Sequence, residues 1–141
     1  MTLVEKQQRM IDDLLLIEDA QERLAVIVDR ARRRPALEGA ERVEANLVPG
    51  CISSAWIAGD VSDGLCHFRS DADSPLVRGL LALYVDLYTG ATPAEVIALE
   101  PSLVEKLALD RQLSPTRLHG LRSVRARLRG LATSHTAAES G

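Results

Sequence analysis

Apolar residues recur at helical spacing in the first part of the chain. On the first predicted helix, the apolar residues that share one side are Met10, Ile11, Leu14 and Leu15. Asp19 and Glu22 then have the spacing of a capping box, which begins a second predicted helix. That helix runs to about Arg32, and Pro35 prevents it from continuing.

The middle of the chain instead predicts a β-hairpin. Residues 52–58 and 65–70 are predicted strands, and the Asp-Gly pair at 63–64 is a strong turn signal between them. In the second strand the alternation places Cys66 on the apolar face, so we expect it to pack in the core. Trp56, on the first strand, is also predicted to be a core residue.

Helical patterns return after the hairpin. Ser74 begins a third helix that is apolar around most of its circumference and stops at Gly90. A helix of that kind is buried on several sides, so we expect it to be the central packing element. Capping-box motifs at Thr92 and Ser102 predict two short helices, and Ser114 begins the last one.

The order of these elements predicts an α+β fold in which helices pack against a small antiparallel sheet of two or three strands. We expect one domain over residues 1–132. Residues 133–141 are small and polar, which predicts a disordered tail.

Composition narrows the class of function. The chain has 141 residues, of which 46% are hydrophobic and 26% charged, as in an ordinary soluble domain. A net charge of −3 argues against nucleic acid or an anionic membrane as the partner. No apolar run approaches the roughly 18 residues of a membrane span, and two cysteines imply no disulfide framework. The expected compartment is the cytoplasm.

Cys51 is the candidate nucleophile. Pro49 fixes its own φ and Gly50 can adopt a positive φ, so the pair predicts a tight turn that places Cys51 on a loop. A thiol in that position can reach a partner. Free cysteine is also among the most buried residue types, so the loop context alone leaves a small core residue as the second interpretation.

Motifs for bound cofactors and metals are absent from the sequence. It has no G-x-G-x-x-G and no G-x-x-x-x-G-K-[ST] phosphate loop. The three histidines, His67, His119 and His135, have no metal-site spacing, so we predict neither a metal nor a cofactor. A cysteine hydrolase would need a histidine beside Cys51; His119 could supply it only if the fold brings the two together.

Four charged residues are further site candidates. Asp71 and Asp73 precede the third helix, where carboxylates can cap a helix. Arg78 lies one turn into that buried helix and needs a partner, which either carboxylate could be. Arg117 lies in the first turn of the last helix, the unfavourable end for a cation. Either a specific contact explains this position, or Arg117 is an ordinary surface residue.

These residues together resemble the SufE/CsdE family of sulfur acceptors, whose fold is similar to that of IscU-type iron–sulfur scaffolds. Spacing and order agree from about Leu24 to Leu131. The residues that carry the resemblance are Asn46, Val48-Pro49-Gly50-Cys51, Ser53, Trp56, Asp71, Asp73, Arg78-Gly79, Leu113-Ser114-Pro115-Thr116-Arg117 and Gly120.

The resemblance implies a sulfur carrier and desulfurase activator with no cofactor of its own. Cys51 would take sulfane sulfur as a persulfide from a pyridoxal-phosphate-dependent cysteine desulfurase. The sulfur would then pass to a downstream scaffold for iron–sulfur cluster assembly. We expect loop support or partner contact from Asp71, Asp73, Arg78, Arg117 and His119.

The sequence departs from the family pattern near the thiol. Ile52 stands where Gln is usual, Ala55 where Val is usual, and Arg78 where Lys is common. The alternative function is an iron–sulfur scaffold of IscU-like fold. A scaffold needs several converging thiolates, whereas Cys66 is predicted to face the core, which leaves Cys51 alone.

Overall fold

The computed structural model describes the backbone of residues 1–49 and 54–140, and the side chains of 1–49 and 54–134. Cys51, the candidate nucleophile, and Ile52 lie outside the described residues. No helix within those ranges is both long and apolar enough to cross a membrane.

The α+β prediction is confirmed, because helices surround a two-stranded antiparallel sheet. Two 3-10 turns lie at Glu44–Asn46 and Leu109–Gln112. The other elements are α1 (Leu3–Leu15), α2 (Ala20–Arg32), β1 (Ala55–Ser62), β2 (Leu65–Ala72), α3 (Pro75–Tyr88), α4 (Pro93–Ala98), α5 (Leu103–Lys106) and α6 (Pro115–Ser140).

The hairpin closes at the predicted Asp-Gly turn. Strands β1 and β2 pair continuously from Ala55 opposite Ala72 down to the turn. Asp63 and Gly64 both have positive φ, 55° and 77°, as a two-residue type I′ turn requires. That turn matches the twist of paired strands, so the ladder extends right up to it.

Strand β1 therefore runs four residues beyond the predicted end at 58. A glycine inside a strand often marks a bulge or a close approach of another group. Gly59 lies under the ring of Phe68, and an added Cβ would come within 2.6 Å of Phe68 Cδ1. The glycine makes room for a core aromatic side chain.

Helix α3 is the central packing element, as predicted. Leu80, Leu81, Leu87 and Tyr88 are all fully buried on it. The helix packs against α1, α2, α6 and β2. It ends where Gly90 takes a φ of 91°, so the predicted glycine stop is confirmed.

Most predicted helix caps are present. The side chains of Asp19 and Ser74 each accept a backbone N–H as N-caps, and Thr92 forms a complete capping box. At Asp19 only this half of the predicted capping box is among the described hydrogen bonds. The predicted capping box at Ser102 is wrong for the described chain. The Ser102 N–H donates instead to Oε1 of Gln7 on α1, at 2.8 Å. This buried side chain occupies the place that the carboxylate of a capping box would take.

Helix α1 begins earlier than the apolar pattern indicates. Thr2 and Glu5 form a capping box at its start. Ile11 and Leu14 are buried as predicted. Leu15 is 41% exposed, so its placement on the buried side is wrong. One residue advances a helix by about 100°, which turns Leu15 away from the face of Leu14.

Helix α6 has the predicted buried stripe of Leu121, Val124 and Leu128, with Leu118 and Leu131 partly buried. Its backbone continues to Ser140 and so enters the segment 133–141. The side chains of 135–140 lie outside the described ones, and the assignment of 133–141 as a tail beyond a 1–132 domain stays a prediction.

Replacing Gly59 with alanine tests the close approach of Phe68. We expect Gly59→Ala to lower the free energy of unfolding by about 1–3 kcal/mol, the usual cost of overpacking a core. Gly130→Ala is the matched control: it has open space on α6 and should gain up to about 1 kcal/mol in helix propensity. Urea unfolding measures both. Equal shifts in the two variants would contradict the packing argument.

Candidate functional site

The described residues on the two sides of segment 50–53, which contains Cys51, are bonded to each other. The Val48 N–H donates to the Ala55 carbonyl at 2.8 Å. Next to this bond, Leu47 pairs with Trp56 in an isolated antiparallel bridge. We call these residues, 47–49 and 54–56, the stem. Cys51 therefore lies in a short segment whose two ends are both attached to the start of β1.

Asp71, at the end of β2, is the most highly coordinated polar residue near the stem. It is only 3% exposed. One carboxylate oxygen accepts the Leu37 N–H at 3.0 Å, and the other accepts the Ala72 N–H at 2.9 Å. Arg78 Nε lies 3.2 Å from the carboxylate and Arg42 Nε 3.8 Å. Asp71 is thus the partner that the sequence required for Arg78.

Asp73 links the stem to the segment that precedes it. Its backbone N–H donates to the Ser54 carbonyl at 3.0 Å. Its carboxylate accepts from Arg42 at 2.9 Å. The Arg42 guanidinium also lies over the Trp56 ring, 4.3 Å from the centroid, as in a cation–π contact. Trp56 is half-buried under this cation, so its prediction as a plain core residue is wrong.

Residues 36–47, which we call the connector, are held across the outer face of the hairpin by further charges. Arg69 on β2 pairs with Glu41 at 2.7 Å and with Asp60 at 2.9 Å. Its hydrogen bonds to Glu41 raise the pKa of the Arg69 guanidinium. Asn46 donates to the Glu41 carbonyl at 2.9 Å. The connector is therefore docked by side chains and is not an unattached linker.

Sequence reasoning missed Glu41, Arg42 and Arg69. The signal was present for Arg69 only, since it alternates with buried Cys66 and Phe68 and so had to face outward. The two connector residues lie about thirty positions from their partners, and no local spacing joins them.

Arg117 lies in the first turn of α6, and His119 begins the second turn. The Arg117 N–H donates to Oγ of Ser114 at 3.2 Å, so Ser114 caps the helix as predicted. Arg117 as a residue is half-buried, its guanidinium forms no ion pair within the described part of the chain, and His119 is exposed.

Helix α6 runs beside β1 in the same direction. Arg127 donates to the Ile57 carbonyl, and further along both elements Leu131 and Val61 line one cavity. The first turn of α6 consequently lies toward the end of the sheet where β1 begins. Since Cys51 is not among the described residues, the contact of this turn with the thiol stays a prediction.

Cys66 has the opposite environment to a reactive thiol. It is 1% exposed, and its backbone bonds to Ala91 and Gly90 fix it under the end of α3. Burial raises the pKa of the Cys66 thiol, which keeps it in its unreactive neutral form. Across 1–49 and 54–134, no group of three His, Cys, Asp or Glu side chains is placed to hold a metal ion.

Comparison with known proteins identifies the family. A SufE family model, described as an Fe-S metabolism associated domain, matches residues 8–132. The chain belongs to the SufE family. An uncharacterized SufE-like protein of Rhizobium etli is 32% identical over 135 residues, covering 92% of this chain and 91% of that protein. One from Rhizobium meliloti is 28% identical over 129 residues, covering 88% and 92%.

A third SufE-like protein, from Synechocystis, is 36% identical over 83 residues, which cover 59% of this chain and 52% of that protein. The solution structure of a hypothetical protein from Thermus thermophilus shares the fold. Its TM-score is 0.72 at 20% sequence identity, covering 94% of this chain and 96% of that one. The SufE family assignment and the SufE-like fold predicted from the motifs are thereby confirmed, and the family is associated with iron–sulfur metabolism.

The energetic role of Asp71 can be measured by removing its charge. Asp71→Asn should lower the free energy of unfolding by about 3 kcal/mol, because it removes a buried carboxylate on which two backbone N–H groups and two partly exposed arginines converge. Asp73→Asn is the control: its carboxylate is exposed, and the loss should stay within about 1 kcal/mol. Chemical denaturation of both variants provides the comparison. A cost for Asp71→Asn no larger than the control would show that the connector is not held through Asp71.

Proposed function

We propose that this SufE-family chain accepts sulfur as a persulfide on Cys51 and carries it toward iron–sulfur cluster assembly. The donor is a pyridoxal-phosphate-dependent cysteine desulfurase and the recipient a downstream cluster scaffold, both in the cytoplasm. The supporting observation is the contrast between the two cysteines. Cys66 is sealed in the core with a raised thiol pKa, whereas Cys51 follows a stem anchored to the sheet.

The transfer is a thiol–persulfide exchange and needs no external oxidant. The Cys51 thiolate attacks the outer, sulfane sulfur of the desulfurase persulfide. A sulfur–sulfur bond forms on Cys51 as the one on the desulfurase breaks, and that enzyme's cysteine leaves as a thiolate. A second exchange passes the sulfane sulfur to the recipient. The pyridoxal phosphate belongs to the desulfurase, so this chain acts as a carrier and activator and not as a free-standing enzyme.

The polar site residues divide into two roles. Asp71, Asp73 and Arg78 fix the stem and the connector through the bonds described above, so we assign them to loop support. Arg117 and His119 lie near the start of α6, toward the stem end of the sheet. We assign these two to contact with the desulfurase, since Arg117 has no ion pair in the described chain and its guanidinium can donate to a carboxylate of that enzyme.

Replacing Cys51 tests the proposal directly. With desulfurase and cysteine present, mass spectrometry should detect added sulfur on Cys51. Cys51→Ser should remove both the adduct and the stimulation of desulfurase turnover, because it removes the attacking thiolate. Cys66→Ala is the control: it should transfer sulfur normally and lose about 1 kcal/mol of stability through the deleted buried atom.

Two results would overturn this assignment. One is sulfur carried chiefly on Cys66. The other is a stable coloured species after anaerobic reconstitution with iron and sulfide that depends on Cys51, which would favour the cluster scaffold.

Removing the Arg117 charge tests the proposed contact. Arg117→Ala should raise the concentration that half-saturates desulfurase stimulation by several-fold, about 1 kcal/mol of lost contact. Its melting temperature should stay within a few degrees of wild type, as for a charge outside the core. Arg129→Ala, on an exposed position of the same helix, controls for net charge. If both variants stimulate alike, the contact lies elsewhere.

A further inference from the structure

Arg127 on α6 is a half-buried cation that the proposed chemistry does not use. Its Nη2 donates to the Ile57 carbonyl at 3.1 Å and to Oδ1 of Asn46 at 3.2 Å. Its Nε is buried without a hydrogen-bond partner in the described chain. No carboxylate among the described residues pairs with it, and burial lowers the pKa of the Arg127 guanidinium.

Such an arrangement is unfavourable for stability alone. A charge taken out of water and given only neutral acceptors loses more hydration energy than two hydrogen bonds return. An apolar side chain of similar length could fill the same place on α6 at lower cost. The arginine is therefore best explained by the two groups that it joins.

Those two groups flank the stem, Asn46 one residue before its first part and Ile57 one residue after its second part. Carbonyls two residues apart on a strand point to the same side, so the Ala55 and Ile57 carbonyls both face the outer edge of β1. The Val48 N–H binds the first and Arg127 binds the second. Arg127 continues along β1 the row of bonds that Val48 of the stem begins.

Asn46 extends the linkage into the connector. While its side-chain oxygen accepts from Arg127, its amide nitrogen donates to the Glu41 carbonyl. Asn46 lies two residues before Val48, so the position of the stem depends on where Asn46 is held. One guanidinium thus joins α6, β1 and the connector immediately before Pro49.

We propose that Arg127 is a positioning residue for sulfur transfer: it holds Asn46 against Ile57 and thereby fixes the stem that carries Cys51. This inference rests on the proposed function for its consequence in transfer, but its structural part concerns the isolated protein. Arg127 touches neither sulfur atom in this scheme. It acts through Asn46 and the stem.

The structural part is tested by amide hydrogen exchange of the isolated protein. In Arg127→Met the Val48 N–H should exchange at least about tenfold faster. Asn46, two residues before Val48, is then no longer held by Arg127, so the bond from Val48 to Ala55 opens more often. Arg129→Met makes the same change of charge at an exposed position of α6 and should leave Val48 unchanged. The amide of Leu87 in α3 reports on global stability and should exchange alike in all three proteins.

The functional part is tested with desulfurase and cysteine. Arg127→Met should lower the maximal rate of persulfide formation on Cys51 by about fivefold or more, equivalent to roughly 1 kcal/mol in the barrier. The concentration of this protein that half-saturates the desulfurase should not change, because the side chains assigned to contact with that enzyme are intact. Asn46→Ala removes the acceptor without altering α6 and should reproduce both effects, and Arg127→Lys should restore part of the rate.

An unchanged Val48 exchange rate in Arg127→Met and Asn46→Ala overturns the inference, and so does faster exchange with a normal maximal rate. If the wild-type protein takes up no sulfur, the proposed function has failed. In that case alkylation of Cys51 by iodoacetamide in the Cys66→Ala background becomes the second readout. It should be at least about threefold faster in Arg127→Met if the stem is loosened, and an unchanged rate overturns the inference.

Discussion

A carboxylate removed from water must be compensated on every side, and Asp71 imposes that requirement on the rest of the site. Its two oxygens accept from the connector and from β2, while Arg78 on α3 and Arg42 on the connector supply positive charge. Once Asp71 is buried at the end of β2, the positions of both arginines are restricted. The same demand places Arg42 over Trp56, so a connector residue partly covers a side chain on the outer face of the sheet.

The helices and the hairpin could be predicted because their signals are local. The Asp63-Gly64 turn, the cap at Ser74 and the stop at Gly90 each depend on a few neighbouring residues, and the structure confirms them. Where a distant side chain competes, local spacing misleads. Gln7 takes the Ser102 N–H that a capping box would have used, from ninety-five positions away.

The site was only partly predictable for the same reason. Arg78 and Arg117 stand out because each is a cation in an unusual helical position, and the acidic pair stands out because it directly precedes a helix. Glu41 and Arg127 carry no such mark, since a glutamate in a polar connector and an arginine on an amphipathic helix are ordinary in sequence. Their importance depends on the topology of the fold. It brings Glu41 to Arg69 across 28 positions of sequence, and Arg127 to the Ile57 carbonyl across 70 positions.

The hydrogen bonds along the hairpin have a consequence for how a partner can bind. A two-stranded sheet has two open sides, and either could pair with a strand of another protein. Here the Cys66 backbone, near the hairpin turn, is bonded to Gly90 and Ala91 on the β2 side, and beside the stem the Ala55 and Ile57 carbonyls are already taken on the β1 side. Strand addition is therefore blocked at the turn end of β2 and at the stem end of β1. A partner strand finds no free backbone at either place, so contacts there fall to side chains, and the pairing of the two strands is left undisturbed.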